Sequence, residues 1–100
     1  MEQYKILIYP SAKQDLLDII DYINTLSPEA ALKQYDNLTQ KIGSLKEMPE
    51  RCPKCKEPQL AMKGYRMLIV GNYIVFFIVN SNTVQIRRIL YGARKYEWLL

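Results

Sequence analysis

Arg66, Arg87, Arg88, Arg94 and Lys95 are interleaved with Tyr65, Tyr73, Tyr91 and Tyr96 in the second half of this 100-residue chain. Guanidinium forks grip phosphate and aromatic rings stack on bases, the two demands of single-stranded RNA recognition. Arg51, Lys54, Lys56 and Lys63 precede them and enlarge the basic stretch. The plainer reading of the same residues is an ordinary sheet surface, with tyrosines packing on their neighbours and cations facing solvent. The chain contains no histidine. That absence removes Ser-His-Asp and Cys-His nucleophiles, imidazole general bases and His-ligated metals.

The two cysteines form one CxxC, Cys52-Pro53-Lys54-Cys55. A structural zinc site takes four ligands, and no second pair accompanies this one. A redox CxxC usually opens a helix, whereas this one lies among Pro49, Pro53 and Pro58. Two reduced loop cysteines are the expectation, with an intermolecular metal site or a redox switch as alternatives.

The formal charge of +4 conceals a division. Residues 1–50 hold five Lys against eight Asp or Glu, and residues 51–100 hold nine Lys or Arg against two Glu. All the positive excess therefore sits in the second half and calls for a polyanionic partner. At 49% hydrophobic and 24% charged residues, the chain reads as one domain over 1–100, without a linker. No apolar run reaches the roughly 18 to 20 residues of a membrane span, and the N-terminus lacks a signal-peptide pattern. The expected location is the cytoplasm.

The elements that must position these residues follow from periodicity. Tyr4 to Tyr9 is rich in β-formers and predicts a first strand. Ser11 with Gln14 reads as a capping box, opening a helix over Ser11 to Thr25. Ala12, Leu16, Ile19 and Ile23 mark its apolar face, and Asp15, Asp18 and Asp21 its solvent face. Ser27-Pro28-Glu29 starts a second helix. Its stripe is Ala31, Tyr35, Leu38, Ile42 and Leu45, and it should stop before Pro49. The short joint makes the pair an αα-hairpin. Residues 49–64 read as a loop. Tyr65 to Val70, Tyr73 to Val79 and Thr83 to Tyr91 read as strands, the middle one apolar on both pleats and so covered on both faces. The expected fold is α+β, in the order β-α-α-β-β-β, with the hairpin on one face of an antiparallel sheet and a short C-terminal helix or tail from Ala93. Strict alternation puts Arg88 with Val84, Ile86 and Leu90, and Arg87 with Gln85, Ile89 and Tyr91. A cation on the more apolar pleat makes Arg88 the better site candidate.

The segments YKILIYPSAKQDLLDIIDYI, SPEAA, MPER, GYRMLIVGNYIVFFIV and VQIRRILYGARKYEWLL follow one another over nearly the whole chain. In this order they resemble the RelE/ParE family of bacterial toxins from type II toxin–antitoxin pairs. The resemblance implies a toxin neutralised by a cognate antitoxin, with RelE-like members cleaving mRNA in the ribosomal A site and ParE-like members poisoning DNA gyrase. Arg66 stands at the family's GYR arginine, which serves phosphate binding in its nucleases. Arg88 matches the arginine of the last-strand motif. Tyr91 replaces the histidine of many relatives, Ala93 replaces an arginine, and Arg94 keeps the second basic position, followed by Lys95 instead of an acid. Tyr96 lies near a functional aromatic of RNA-cleaving members.

The implied catalytic set is Arg66, Arg88, Tyr91, Arg94, Lys95 and Tyr96. In it, a 2′-hydroxyl attacks the adjacent phosphate and Arg66 and Arg88 neutralise the developing charge. Tyr91 or Tyr96 protonates the leaving oxygen or stacks a base, and Lys95 or Lys63 acts as base. Such a site needs no cofactor or metal. Ribosome-dependent mRNA cleavage is the leading expectation, with ribosome and mRNA as partners. Gyrase inhibition and a degenerate protein that only binds its antitoxin are the alternatives. The antitoxin is expected to lay apolar residues along the helices or sheet edge and acids over the arginines.

Overall fold

Proline positions set much of the local structure. In the computed structural model, which describes residues 3–92, four of the five prolines stand at the start of a helical element. A missing N–H costs nothing there and a fixed φ is already helical. Strand β1 (Lys5–Ile8) runs into α1 (Pro10–Leu26), so the helix opens at Pro10. The capping box expected at Ser11 does not form. Tyr9 is the N-cap residue, without a side-chain cap, and the Gln14 amide donates to Asp18 instead.

α2 (Pro28–Gly43) begins as the sequence implies, with the Ser27 hydroxyl accepting from the Ala30 N–H at 3.2 Å. It ends earlier than expected, at Gly43, and Leu45 is buried from a following 3₁₀ turn, Ser44–Lys46. Ala31, Leu38 and Ile42 are buried on the predicted stripe, but Tyr35 is not: it lies on the stripe's margin and is 44% exposed.

Residues 49–64 are more ordered than a loop. Pro49 opens a 3₁₀ turn (Pro49–Arg51) and Pro58 opens α3 (Pro58–Met62). Between them the chain runs beside β2 (Tyr65–Val70), where Lys54 bridges to Arg66. The Cys55 N–H donates to the Tyr65 carbonyl and the Met67 N–H to the Pro53 carbonyl. This strip covers an edge that would otherwise present unpaired backbone groups.

β3 (Tyr73–Asn80) and β4 (Thr83–Tyr91) complete a four-stranded sheet in the order β1-β4-β3-β2. The three later strands form the expected antiparallel meander, and β1 joins β4 in parallel, so the sheet is mixed. Two-residue turns link the meander, with positive φ at Gly71 and at Ser81. That conformation matches the right-handed twist of a tight hairpin.

β3 is covered on both faces. Phe77 packs with Ala12, Leu38, Leu45, Val75 and Ile86 on the helix side. Phe76 packs with Cys55, Leu60, Tyr65 and Leu90 on the other side, where α3 and its approach form a second small core. The helix-free face is therefore partly roofed, which sequence periodicity in residues 49–64 did not reveal.

Candidate functional site

A bulge in β4 decides where the arginines go. Ile86 stands opposite Phe77 and Arg88 opposite Phe76, leaving Arg87 as the extra residue. A bulge shifts the alternation by one. Val84, Ile86 and Ile89 consequently all reach the helix-side core, while Leu90 joins the opposite one. The strict period-two placement of Arg88 beside Val84 and Ile86 is thus corrected.

Arg66 and Arg88 do not converge. Arg66 pairs with Phe77 and Arg88 with Phe76, and successive strand residues point to opposite faces. Arg66 Nη1 donates to the carbonyls of Cys52 at 2.7 Å and Glu50 at 3.3 Å, and Nη2 lies 4.0 Å from the Glu50 carboxylate. Its charge anchors the strip over the β2 edge.

Arg88 is held by α1. Its Nε lies 2.7 Å from Asp15 Oδ2, and its Nη2 donates to Oδ1 at 3.0 Å. The Ile89 N–H donates to the same Oδ2 at 2.9 Å. β1 ends opposite Ile86, so Asp15 caps the edge that β4 presents beyond it. Both side chains are largely shielded, at 22% and 13% exposure. The hydrogen bond and charge of Asp15 raise the Arg88 pKa above its ordinary value, against an opposing effect of burial. Periodicity alone assigns Asp15 to the solvent face, whereas the fold turns it toward β4. Its signal was its spacing, three residues after buried Ala12 and four before Ile19, on the flank of the apolar stripe.

Arg87 occupies a different setting. Its guanidinium lies 4.5 Å over the Tyr9 ring centroid and 5.7 Å from that of Tyr65. Nη1 donates to the Gln85 amide oxygen at 3.2 Å. Arg51 donates to the Glu47 and Met48 carbonyls and to the Ser44 hydroxyl, fastening the turn after α2. Lys54, Lys56 and Lys63 are exposed.

Tyr91 is 46% exposed at the end of β4 and meets Tyr73 edge-on, with centroids 5.8 Å apart. Burial, then Tyr91 and Tyr22, push the Tyr73 phenol up. The two rings border a shallow depression with Ile69, Gly71, Asn72, Ile74 and Gly92. Arg94, Lys95, Tyr96 and the C-terminal helix or tail from Ala93 lie outside the described residues. Among the described residues no group of three or more His, Cys, Asp or Glu is placed to hold a metal, and no helix is long and apolar enough to cross a membrane.

The cysteines are free and buried, Cys52 in the helix-side core and Cys55 in the opposite one. Burial raises both thiol pKa values, Cys52 against the lowering effect of Arg51 and Arg66, and Cys55 to about 11 with help from Glu57.

A four-stranded mixed sheet backed by a helical hairpin is the fold of RelE/ParE-like toxin domains. Residues 6–96 match the family described as the ParE toxin of the type II toxin–antitoxin system parDE. The chain belongs to that family. A search of curated protein sequences finds no match. Among solved structures, the chromosomal ParDE toxin–antitoxin system from P. aeruginosa aligns with a TM-score of 0.75 at 23% identity, over 89% of this chain and 96% of that one. The toxin–antitoxin complex RelBE2 from Mycobacterium tuberculosis aligns with a TM-score of 0.62 at 23% identity, over 94% and 97%. Both share the fold.

Proposed function

We propose that this ParE-family toxin arrests growth by acting on DNA gyrase in the cytoplasm, and that a cognate antitoxin neutralises it. The placement of Arg66 and Arg88 is the observation that supports gyrase over mRNA. A phosphate undergoing cleavage needs cations converging on its oxygens. Here the two arginines leave opposite pleats, one bound to backbone carbonyls and the other to a carboxylate. Ribosome-dependent mRNA cleavage, favoured by the sequence, requires Arg88 to exchange Asp15 for substrate and Arg66 to release the strip over β2. The chain also has no histidine to move protons.

An antitoxin partner is supported by the family and by the two toxin–antitoxin complexes that share the fold. Two assays on the purified toxin test the reading. Gyrase supercoiling should fall, or cleaved gyrase–DNA complexes should accumulate, as toxin is added. A reconstituted translation system should show intact mRNA. Cut mRNA that requires ribosomes reverses the assignment, and activity in neither assay leaves a protein that only binds its antitoxin.

A further inference from the structure

Cys52 and Cys55 lie three residues apart on an extended stretch of chain. Cys52 has extended dihedrals, Lys54 bridges to Arg66, and the Pro53 carbonyl and Cys55 N–H bond to β2 on either side of that bridge. Side chains alternate along such a chain, so an odd spacing sends the two sulfurs to opposite faces. Cys52 accordingly lies in the core of Leu38 and Phe77, and Cys55 in that of Leu60 and Phe76. Three extended steps also part their Cα atoms by about 10 Å, beyond the roughly 7 Å that a disulfide can bridge. While the strip is docked on β2, its backbone keeps the pair a dithiol.

Undocked, the same four residues are free to turn, and a CxxC in a turn or at a helix start is the spacing of redox pairs. Few bonds hold the strip down. The Cys55 N–H donates to the Tyr65 carbonyl, the Met67 N–H to the Pro53 carbonyl, and Arg66 Nη1 to the carbonyls of Cys52 and Glu50. An edge segment attached in this way opens at lower cost than the centre of the sheet. Just beyond it, one carboxylate oxygen of Glu57 is buried without a hydrogen-bond partner among the described residues. Opening hydrates that oxygen and relieves its desolvation.

We infer that Cys52 and Cys55 form a reversible redox latch: the strip docks on β2 only as the dithiol, and an intramolecular disulfide holds it open. The oxidant is a small-molecule disulfide. A thiolate of the opened strip attacks it, expelling one small thiol and leaving a mixed disulfide; the second cysteine attacks that bond, so the Cys52–Cys55 bond forms as a second small thiol departs. Two protons and two electrons pass from the cysteines to the oxidant. With its Cα atoms drawn to bridging distance, the oxidised pair cannot resume the extended path. The oxidised chain therefore presents an uncovered β2 edge and an Arg66 guanidinium released from the Cys52 carbonyl, and reduction restores both contacts.

The test incubates the full chain with oxidised glutathione and follows it by mass spectrometry and amide exchange. The product should have lost the mass of two hydrogens and carry no glutathione. Its Cys55 and Met67 amides should exchange at least tenfold faster, those at the centre of β3 should be unchanged, and dithiothreitol should reverse the effect. Arg66→Ala, lacking the side-chain anchor, should oxidise about tenfold faster than wild type. A disulfide that leaves the Cys55 and Met67 amides protected overturns the inference. Oxidation that also strips protection from β3, a reaction that stops at the mixed disulfide or does not start, or a wild-type rate in Arg66→Ala does the same. If Arg66→Ala does not fold, the mass and the amides of the wild type decide alone. Neither gyrase nor an antitoxin enters the measurement, so its result stands whichever target the toxin has.

Discussion

Asp15 of α1 and Arg88 of β4 are 73 residues apart in the chain and meet through two hydrogen bonds, at 2.7 and 3.0 Å. One carboxylate thereby ties the first helix to the last strand, satisfies the Ile89 N–H at an open edge and occupies the arginine most suited by sequence to hold a phosphate.

Asp15→Ala should cost about 2 kcal/mol of folding stability, because it strands a shielded guanidinium and a backbone donor together. Asp15→Asn should cost about 1 kcal/mol, since its amide oxygen still accepts from Ile89. Urea denaturation of the two variants measures the difference. Equal losses would mean that the edge cap contributes nothing beyond the charge.

Arg66→Ala should free the strip over the β2 edge. The Cys55 and Met67 amides, bonded to Tyr65 and Pro53, should then exchange about tenfold faster, as expected from losing roughly 1.4 kcal/mol of local protection. Amides at the centre of β3 should exchange as before. Toxicity should fall only as far as stability does, whereas a catalytic Arg66 predicts loss of activity in a fully folded variant.

The native thiols should resist alkylation at neutral to mildly basic pH, because burial keeps Cys55 protonated up to about 11 and the thiolate is the reactive form. The linkage has a definite sign. In the range from the ordinary thiol value of 9.0 to about 11, the unfolded thiol ionises and the folded one does not. The contribution of Cys55 is therefore complete below that range and is lost as pH rises through it. Cys55→Ala should flatten this part of the stability–pH curve. Rapid native alkylation, or rapid formation of a Cys52–Cys55 disulfide without unfolding, would contradict the placement of the two sulfurs in opposite cores.

The local rules succeeded where periodicity was strong. The stripe from Ala12 to Ile23, the Ser27 cap and three strands of the meander all follow from spacing and capping chemistry. They failed where one residue broke the period. The extra residue at Arg87 reverses every side-chain direction after it, and no composition signal announces a bulge. The parallel docking of β1 is a long-range choice, invisible in YKILIY itself. Likewise, Pro49 and Pro58 read as loop markers when they are helix starts; the two apolar pleats of β3 imply cover on both faces, but not that residues 49–64 supply it over Phe76. The family was carried by the order of whole segments. The roles of Arg66 and Arg88 depend on contacts with Cys52 and Asp15 that only the folded chain brings together.

The most direct test of the central claim is plasmid supercoiling by purified gyrase under increasing toxin, run beside ribosome-dependent mRNA cleavage with wild type and a folded Arg88→Ala variant. The predicted result is gyrase inhibition with intact mRNA. Cleavage of ribosome-bound mRNA by the wild type that disappears in folded Arg88→Ala, with gyrase unaffected, would contradict it.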